Sequence, residues 1–217
     1  MSGNFVQNTT SEVNHKFLEN VRHHRPHFFG NINSVKDFSY IDWIKLIEGH
    51  PLKGGGEKTK QLKVYKPKNN AIELRHLERR GSMPQWFKDL HNRMSTTFKK
   101  NHVTAIAFGS FGPDAKSFKI HRDRMDVVYL QVVGSVKLSL WKPNVPVSPV
   151  HDTLVTIEDT FDPETEMEKV DKFYERIFYP DQLLWIPRGT YHYIEPLETR
   201  LGISFGIEGS IDPSTYI

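Results

Sequence analysis

A chain of 217 residues, 37% of them hydrophobic, is long enough for one domain with a sizeable core, and its 14 Phe, 8 Tyr and 4 Trp make that core aromatic. The formal net charge of +3 is mildly basic, which allows an anionic partner without requiring one. The absence of cysteine excludes disulfides, zinc–thiolate sites and cysteine nucleophiles.

The N-terminus has neither a basic n-region nor an apolar h-region, and no run approaches the roughly 18 apolar residues of a membrane span. A soluble cytoplasmic protein without a membrane partner is therefore expected. After a polar start over residues 1–10, Val13, Phe17, Leu18 and Val21 recur at helical spacing and predict a helix from Ser11 to Arg22. His23, His24 and His27 surround Arg25-Pro26. With Pro26 breaking the local geometry and no carboxylate nearby in sequence, they read as a turn into a short apolar strand rather than a metal site. A second helix is predicted from Phe38 to Glu48, with Ser39 as N-cap and Asp42 near its positive end. The glycine- and lysine-rich stretch from Lys53 to Lys60 lacks the lysine–serine/threonine ending of a phosphate loop and reads as a flexible loop.

Leu62–Tyr65 and Ala71–Leu74 are candidate strands. Ser82 to Lys99 reads as a helix with a Ser82/Gln85 capping box and an apolar face of Trp86, Phe87, Leu90, Met94 and Phe98. From His102 the pattern changes to strands. They are expected at Val103–Phe108, at Val127–Val133, at Val136–Trp141 after a Gly134-Ser135 turn, at Leu183–Ile186, and at Leu201–Ile207. Residues 142–180 form a proline-rich and acidic excursion, within which a short strand at Thr153–Thr156 and a short helix carrying Met167, Val170 and Phe173 are predicted. Helices in the first half and short strands in the second favour a mainly β (α+β) fold, a barrel or sandwich with helices packed outside. One domain over 1–217 is expected, with a mostly helical lead-in over 1–101 and a β-core over 102–208.

Three residues are candidates for one metal site. His121 and Asp123 lie two apart at the start of a strand, so a nitrogen and a carboxylate oxygen can reach one ion from the same side. His192 follows the strand and turn Trp185-Ile186-Pro187-Arg188-Gly189, a rigid element that can present it. His151, the other histidine after Asp123, stands in a proline-rich loop. Two histidines and one carboxylate are the facial set of non-haem Fe(II) oxygenases.

These stretches resemble the JmjC-type, cupin-like branch of the Fe(II)/2-oxoglutarate-dependent oxygenases. The resemblance is carried by His121-Arg122-Asp123, by the glycine hairpin that follows, and by Leu184-Trp185-Ile186-Pro187-Arg188-Gly189-Thr190-Tyr191-His192, which fits the family's L-x-x-P-x-G-x-x-H form. It implies a double-stranded β-helix (jelly-roll) barrel that binds Fe(II) and uses 2-oxoglutarate and O2 as co-substrates. The products would be hydroxylated substrate, succinate and CO2. Halogenating relatives lack the metal carboxylate, so Asp123 argues for hydroxylation.

One position departs from the family. The inward-facing Lys or Arg that pairs with the distal carboxylate of 2-oxoglutarate commonly stands two residues after the hairpin glycine, where this chain has Val136. Lys137 could serve only if a bulge re-aimed it, because neighbouring strand residues face opposite ways. Arg200 is the preferred replacement. Leu201, Ile203 and Phe205 form one face of the last strand, leaving Arg200, Gly202 and Ser204 on the other. Some branches of the superfamily place an Arg with a nearby Ser there. Lys119 is a third choice, and Tyr129 a hydrogen-bond partner for the same carboxylate. The plain alternative for Arg200 is a strand-end ion pair with Glu198.

The expected substrate is a protein side chain, an amino acid or a small molecule, with nucleic acid allowed but not favoured. Many relatives carry a C-terminal helical dimerisation region. This chain stops about ten residues after its last strand, so a monomer, or a homodimer formed in another way, is expected. The competing readings are a cupin-fold metal- or ligand-binding module without turnover, and a metal cupin of other activity. The latter more often carries H-x-H with a glutamate and a third histidine.

Overall fold

The computed structural model describes residues 11–32, 35, 38–39, 41–42, 62–64, 71–81, 83–98, 102–115, 120–143, 159–160 and 170–209. The elements are helix α1 (Ser11–Arg22), strands β1 (His27–Asn31), β2 (Leu62–Val64) and β3 (Ala71–Leu74), a 3-10 turn (Leu77–Arg79) and helix α2 (Gln85–Thr97). Strands β4 (Val103–Ser110), β5 (His121–Arg122), β6 (Asp126–Val133), β7 (Val136–Pro143), β8 (Asp159–Thr160), β9 (Val170–Phe178), β10 (Gln182–Ile186), β11 (Tyr191–Pro196) and β12 (Arg200–Ile207) follow.

The strands form two antiparallel sheets, ordered β1-β10-β6-β12-β4-β3-β2 and β8-β5-β11-β7-β9. Strands β4, β6, β10 and β12 belong to the first sheet and β5, β7, β9 and β11 to the second, so the chain passes back and forth between two facing layers. This is the double-stranded β-helix, with α1 and α2 outside it. Period-two alternation decides what each layer buries. Val128, Leu130 and Val132 of β6 and Leu201, Ile203, Phe205 and Ile207 of β12 point away from the barrel, into a cluster with Phe17 and Val21 of α1 and Phe87, Leu90 and Met94 of α2. Phe87 stacks on Phe205 at 5.7 Å between ring centroids. Truncating such a buried ring to alanine costs about 3–5 kcal/mol. The alternate residues Val127 and Tyr129, with Val136, Leu138, Leu140, Phe178, Leu184 and Ile186, fill the space between the sheets.

Helix α1 and the strands expected at Val103–Phe108, Val127–Val133, Val136–Trp141, Leu183–Ile186 and Leu201–Ile207 form as the sequence pattern predicts. At Ser39 the expected cap is present, since Ser39 N donates to Asp42 Oδ2 (2.9 Å) and Asp42 N to Ser39 Oγ (3.3 Å). Helix α2 starts later than expected, at Gln85, with Pro84 in extended backbone as its N-cap and no side-chain cap. A proline disfavours helical backbone in the residue before it, which keeps Met83 out of the helix. The stretch from Val170 to Phe178 corrects an expectation. It is strand β9, not the end of a helix, and the excursion after β7 ends at Val170 rather than at residue 180. Pairing along the whole of β7 outweighs the local helical spacing of Val170 and Phe173. Lys119, His151, Ser82, the strand predicted at 153–156, the start of the helix predicted after Asp162, and most of 43–70 lie outside the described residues. Among the described residues no helix is long and apolar enough to cross a membrane.

Candidate metal and co-substrate site

His121 on β5 and His192 on β11 are direct cross-strand partners. His192 also lies opposite Leu140 on β7, an inward-facing residue, so both rings sit on the barrel side of the second sheet. Their centroids are 4.3 Å apart. Asp123, one residue past β5, closes the group: Oδ1 is 4.0 Å from His121 Nε2 and Oδ2 is 3.6 Å from His192 Nε2. One donor atom from each of the three residues lies within 4.8 Å of the other two. The sequence-predicted trio is thus brought together.

The turn that carries His192 is held at several points. Thr190 N donates to Pro187 O, Gly189 N to the Asp123 carbonyl at 2.8 Å, and Arg188 N to Asp126 Oδ1 at 3.0 Å. Segment 123–126 and the Pro187–Gly189 turn are therefore fastened to each other by one backbone–backbone bond and one bond from a backbone N–H to the Asp126 carboxyl. Burial raises the Asp126 carboxyl above its ordinary range, opposed by the Arg188 backbone hydrogen bond. His192 Nδ1 faces the Thr190 carbonyl at 3.0 Å, and since a carbonyl only accepts, Nδ1 carries the proton and Nε2 presents its lone pair. Burial, followed by the charge of His121, lowers the His192 pKa to about 4, so the ring is neutral near pH 7.

A second polar group lies on the inner face of the first sheet. Arg200, Gly202 and Ser204 share the barrel side of β12, opposite the face packed on the helices. Ser204 is the cross-strand partner of Tyr129 on β6, and Gly202 of Gln131. The Tyr129 ring lies directly over Gly202, where any Cβ would meet its hydroxyl and ring atoms. Arg200 is 2% exposed. Its Nε donates to Ser110 Oγ and its Nη1 to Phe108 O, both at 3.1 Å, and the Tyr129 hydroxyl is an electrostatic neighbour that favours its charged form. Among the described residues no carboxylate pairs with it. Glu198, the plain alternative, instead accepts from Ser135 Oγ at 2.7 Å. Burial lowers the Arg200 pKa and raises that of Tyr129 to about 12.

Lys137 does not belong to this group, which corrects the expectation that made it a candidate anchor. Its pairing with Glu195 belongs to an unbroken β7–β11 register from Val136 to Trp141, and the irregularity between β7 and β9 lies further on, between Leu140 and Trp141. No bulge turns Lys137 inward, and its Nζ forms an ion pair with Glu195. Val136 is the inward residue there and is fully buried among apolar side chains.

Four features of the site escaped the sequence reading: Ser110 and the Phe108 carbonyl as Arg200 partners, Gln131 beside Tyr129, and Asp126 under the Pro187–Gly189 turn. Gln131 had a visible signal, a lone amide in the otherwise apolar and aromatic run Val127–Val133. The others depend on cross-strand register.

A family model for the JmjC domain matches residues 82–212, more than half of the chain. Solved structures of similar fold include three of YcfD from Escherichia coli. An X-ray structure of YcfD aligns with TM-score 0.57 at 13% identity, over 89% of this chain and 53% of that one. YcfD described as a ribosomal oxygenase in complex with cobalt and 2-oxoglutarate aligns with TM-score 0.54 at 14% identity, over 92% and 53%. The complex with cobalt and succinic acid aligns with TM-score 0.53 at 13% identity, over 89% and 51%. The chain thus spans about half the length of these structures, and at such identity the likeness is one of fold. No curated protein matches the sequence.

Proposed function

The chain belongs to the JmjC domain family of oxygenases, whose cofactor is Fe(II) with 2-oxoglutarate and O2 as co-substrates, and on that premise we propose that it hydroxylates an unactivated C–H bond with release of succinate and CO2. The observation that carries the reading is the pairing of two features inside one barrel. A His-Asp-His donor set lies on one sheet, and a buried arginine that no carboxylate among the described residues pairs with lies on the inner face of the other.

In this reading His121 Nε2, Asp123 and His192 Nε2 hold the iron, and the donor set, two imidazoles and one carboxylate, fits it. Bound Fe(II) supplies O2 activation, with one oxygen atom entering the substrate hydroxyl and the other entering succinate. Thr190 fixes the His192 tautomer, and the Pro187–Gly189 turn holds the ring in place. Arg200 anchors the distal carboxylate of 2-oxoglutarate. A guanidinium has five N–H bonds, and with Ser110 Oγ and Phe108 O each accepting one, three remain, enough to meet one carboxylate bidentately. Ser204 and Tyr129 lie on the same inner face as Arg200, and Lys119 is the alternative anchor. A protein side chain leads the substrate classes, by analogy with the ribosomal oxygenase of similar fold, ahead of an amino acid or small molecule. Val136 favours a second reading, a binding module without turnover, because the usual anchor position is apolar.

One experiment separates the two. Purified protein with Fe(II) and 2-oxoglutarate, kept anaerobic, is expected to show a weak visible charge-transfer band and, on admission of O2, to form succinate slowly. Asp123→Ala is expected to lose both. Iron binding with neither signal supports the binding module. If neither signal appears in the native chain, the oxygenase reading is lost.

A further inference from the structure

Gln131 stands on the inner face of β6, next to Tyr129 and before the Gly134 hairpin, and is fully buried. Its Nε2 donates to two backbone carbonyls, Val133 O at 2.7 Å and Gly134 O at 3.0 Å. Carbonyls only accept, so the amide has one workable orientation: a flip would set Oε1 against two oxygens. Oε1 therefore faces Tyr129 and accepts the hydrogen bond from its hydroxyl. The hairpin that fixes the amide is itself tightly specified. Gly134 has φ +67°, and any Cβ there would collide with the Thr199 carbonyl, immediately before Arg200.

A phenol carries a single proton. With that proton given to Gln131, the Tyr129 oxygen turns only lone pairs toward the Arg200 guanidinium, its electrostatic neighbour. The hydrogen bonds of the guanidinium go to neutral acceptors, Ser110 Oγ and Phe108 O, and the Tyr129 hydroxyl beside it is neutral as well. A carboxylate in their place would neutralise it and compete with any anionic ligand. We propose that Gln131 is a positioning residue for 2-oxoglutarate. It holds the Tyr129 hydroxyl as an acceptor, which fixes Arg200 while leaving its charge and its remaining N–H bonds for the distal carboxylate. The proposal rests on the reading of Arg200 as the anchor.

The test is the affinity for 2-oxoglutarate, measured by calorimetry on the Mn(II)-loaded protein without O2. It compares the native chain with Gln131→Met, Tyr129→Phe, the double variant, and Arg200→Met. Gln131→Met and Tyr129→Phe are each expected to weaken 2-oxoglutarate by about tenfold, the scale of one hydrogen bond to a charged group. Mn(II) affinity should stay within about twofold, and in turnover KM for 2-oxoglutarate should rise more than kcat falls. Because Gln131 acts through Tyr129, the double variant should fall within about twofold of Tyr129→Phe alone. Penalties that multiply in the double variant, or an unchanged affinity in Gln131→Met, overturn the proposal. If Gln131→Met does not fold, Tyr129→Phe decides: unchanged affinity leaves Gln131 nothing to act through. Arg200→Met separates the two layers. If it binds 2-oxoglutarate as the native chain does, the anchor reading itself fails. If it alone loses binding, only the role of Gln131 fails.

Discussion

The Nδ1 atom of His192 lies 3.0 Å from the carbonyl oxygen of Thr190, a residue of the turn that delivers the histidine to the site. The contact holds the proton on Nδ1 and turns Nε2 toward Asp123, 3.6 Å away. Replacement of His121, Asp123 or His192 by alanine is expected to weaken Fe(II) binding by well over tenfold and to abolish succinate formation, as measured by metal titration and a product assay. Undiminished Fe(II) affinity in all three variants would move the metal elsewhere.

Arg200 and Lys137 make opposite predictions. Arg200 is buried and faces inward, so Arg200→Met should weaken 2-oxoglutarate on the order of 100-fold, the cost of losing a buried charge partner. Arg200→Lys should recover little of this, because an ammonium cannot reproduce the planar fork. Lys137 pairs with Glu195 on the outer surface, and Lys137→Ala should leave both 2-oxoglutarate affinity and melting temperature near those of the native chain. A Lys137 variant that loses the co-substrate would place the anchor on β7 after all.

Gly202 supplies the space for Tyr129. A methyl group there meets the tyrosine hydroxyl and ring, and Tyr129 is fully buried against apolar side chains that leave it little room to move. Gly202→Ala is therefore expected to cost about 1–3 kcal/mol of stability, measured by denaturant unfolding, and to weaken 2-oxoglutarate as well. Full co-substrate affinity in this variant would mean that Tyr129 can leave its position without consequence.

His27 gives a pH dependence remote from the metal site. It is 6% exposed, packed at 4.5 Å between ring centroids against Phe29, and its Nδ1 takes a hydrogen bond from Asn20 at 2.8 Å. Burial, reinforced by the charge of Lys16, lowers its pKa from 6.5 to about 4. The folded chain thus binds this proton less readily than the unfolded chain. Stability from this group is whole above pH 6.5 and declines as the pH falls toward 4. The decline should reach about 3 kcal/mol at most, at 1.36 kcal/mol per pH unit of displacement. Urea midpoints taken across this window should fall less steeply for His27→Gln. An identical slope in native and variant chains would assign the effect to other groups.

The metal trio was legible because its residues sit in short motifs at element boundaries, His121-Arg122-Asp123 before a strand and Pro187-Arg188-Gly189 before His192. The inward face of β12 was legible as well, since alternation of Leu201, Ile203 and Phe205 with Arg200, Gly202 and Ser204 is a local pattern. Strand β9 was not. Its apolar residues also fit a helical spacing, and only pairing with β7 excludes the helix. For Lys137, alternation already placed the side chain outside the barrel unless a bulge intervened, and the unbroken register of β7 with β11 removes that exception.

Donor types, their order and the inward faces of β7 and β12 were thus written in the chain itself, because these follow from periods of a few residues. The tertiary structure decided the partners. Ser110 and Phe108 reach Arg200 from a strand some ninety positions earlier. The Val133 and Gly134 carbonyls fix the orientation of Gln131, and Thr199 closes over Gly134. Hydrogen bonds across a sheet depend on register between distant segments, and register is set by the packing of both faces at once rather than by any one stretch of chain.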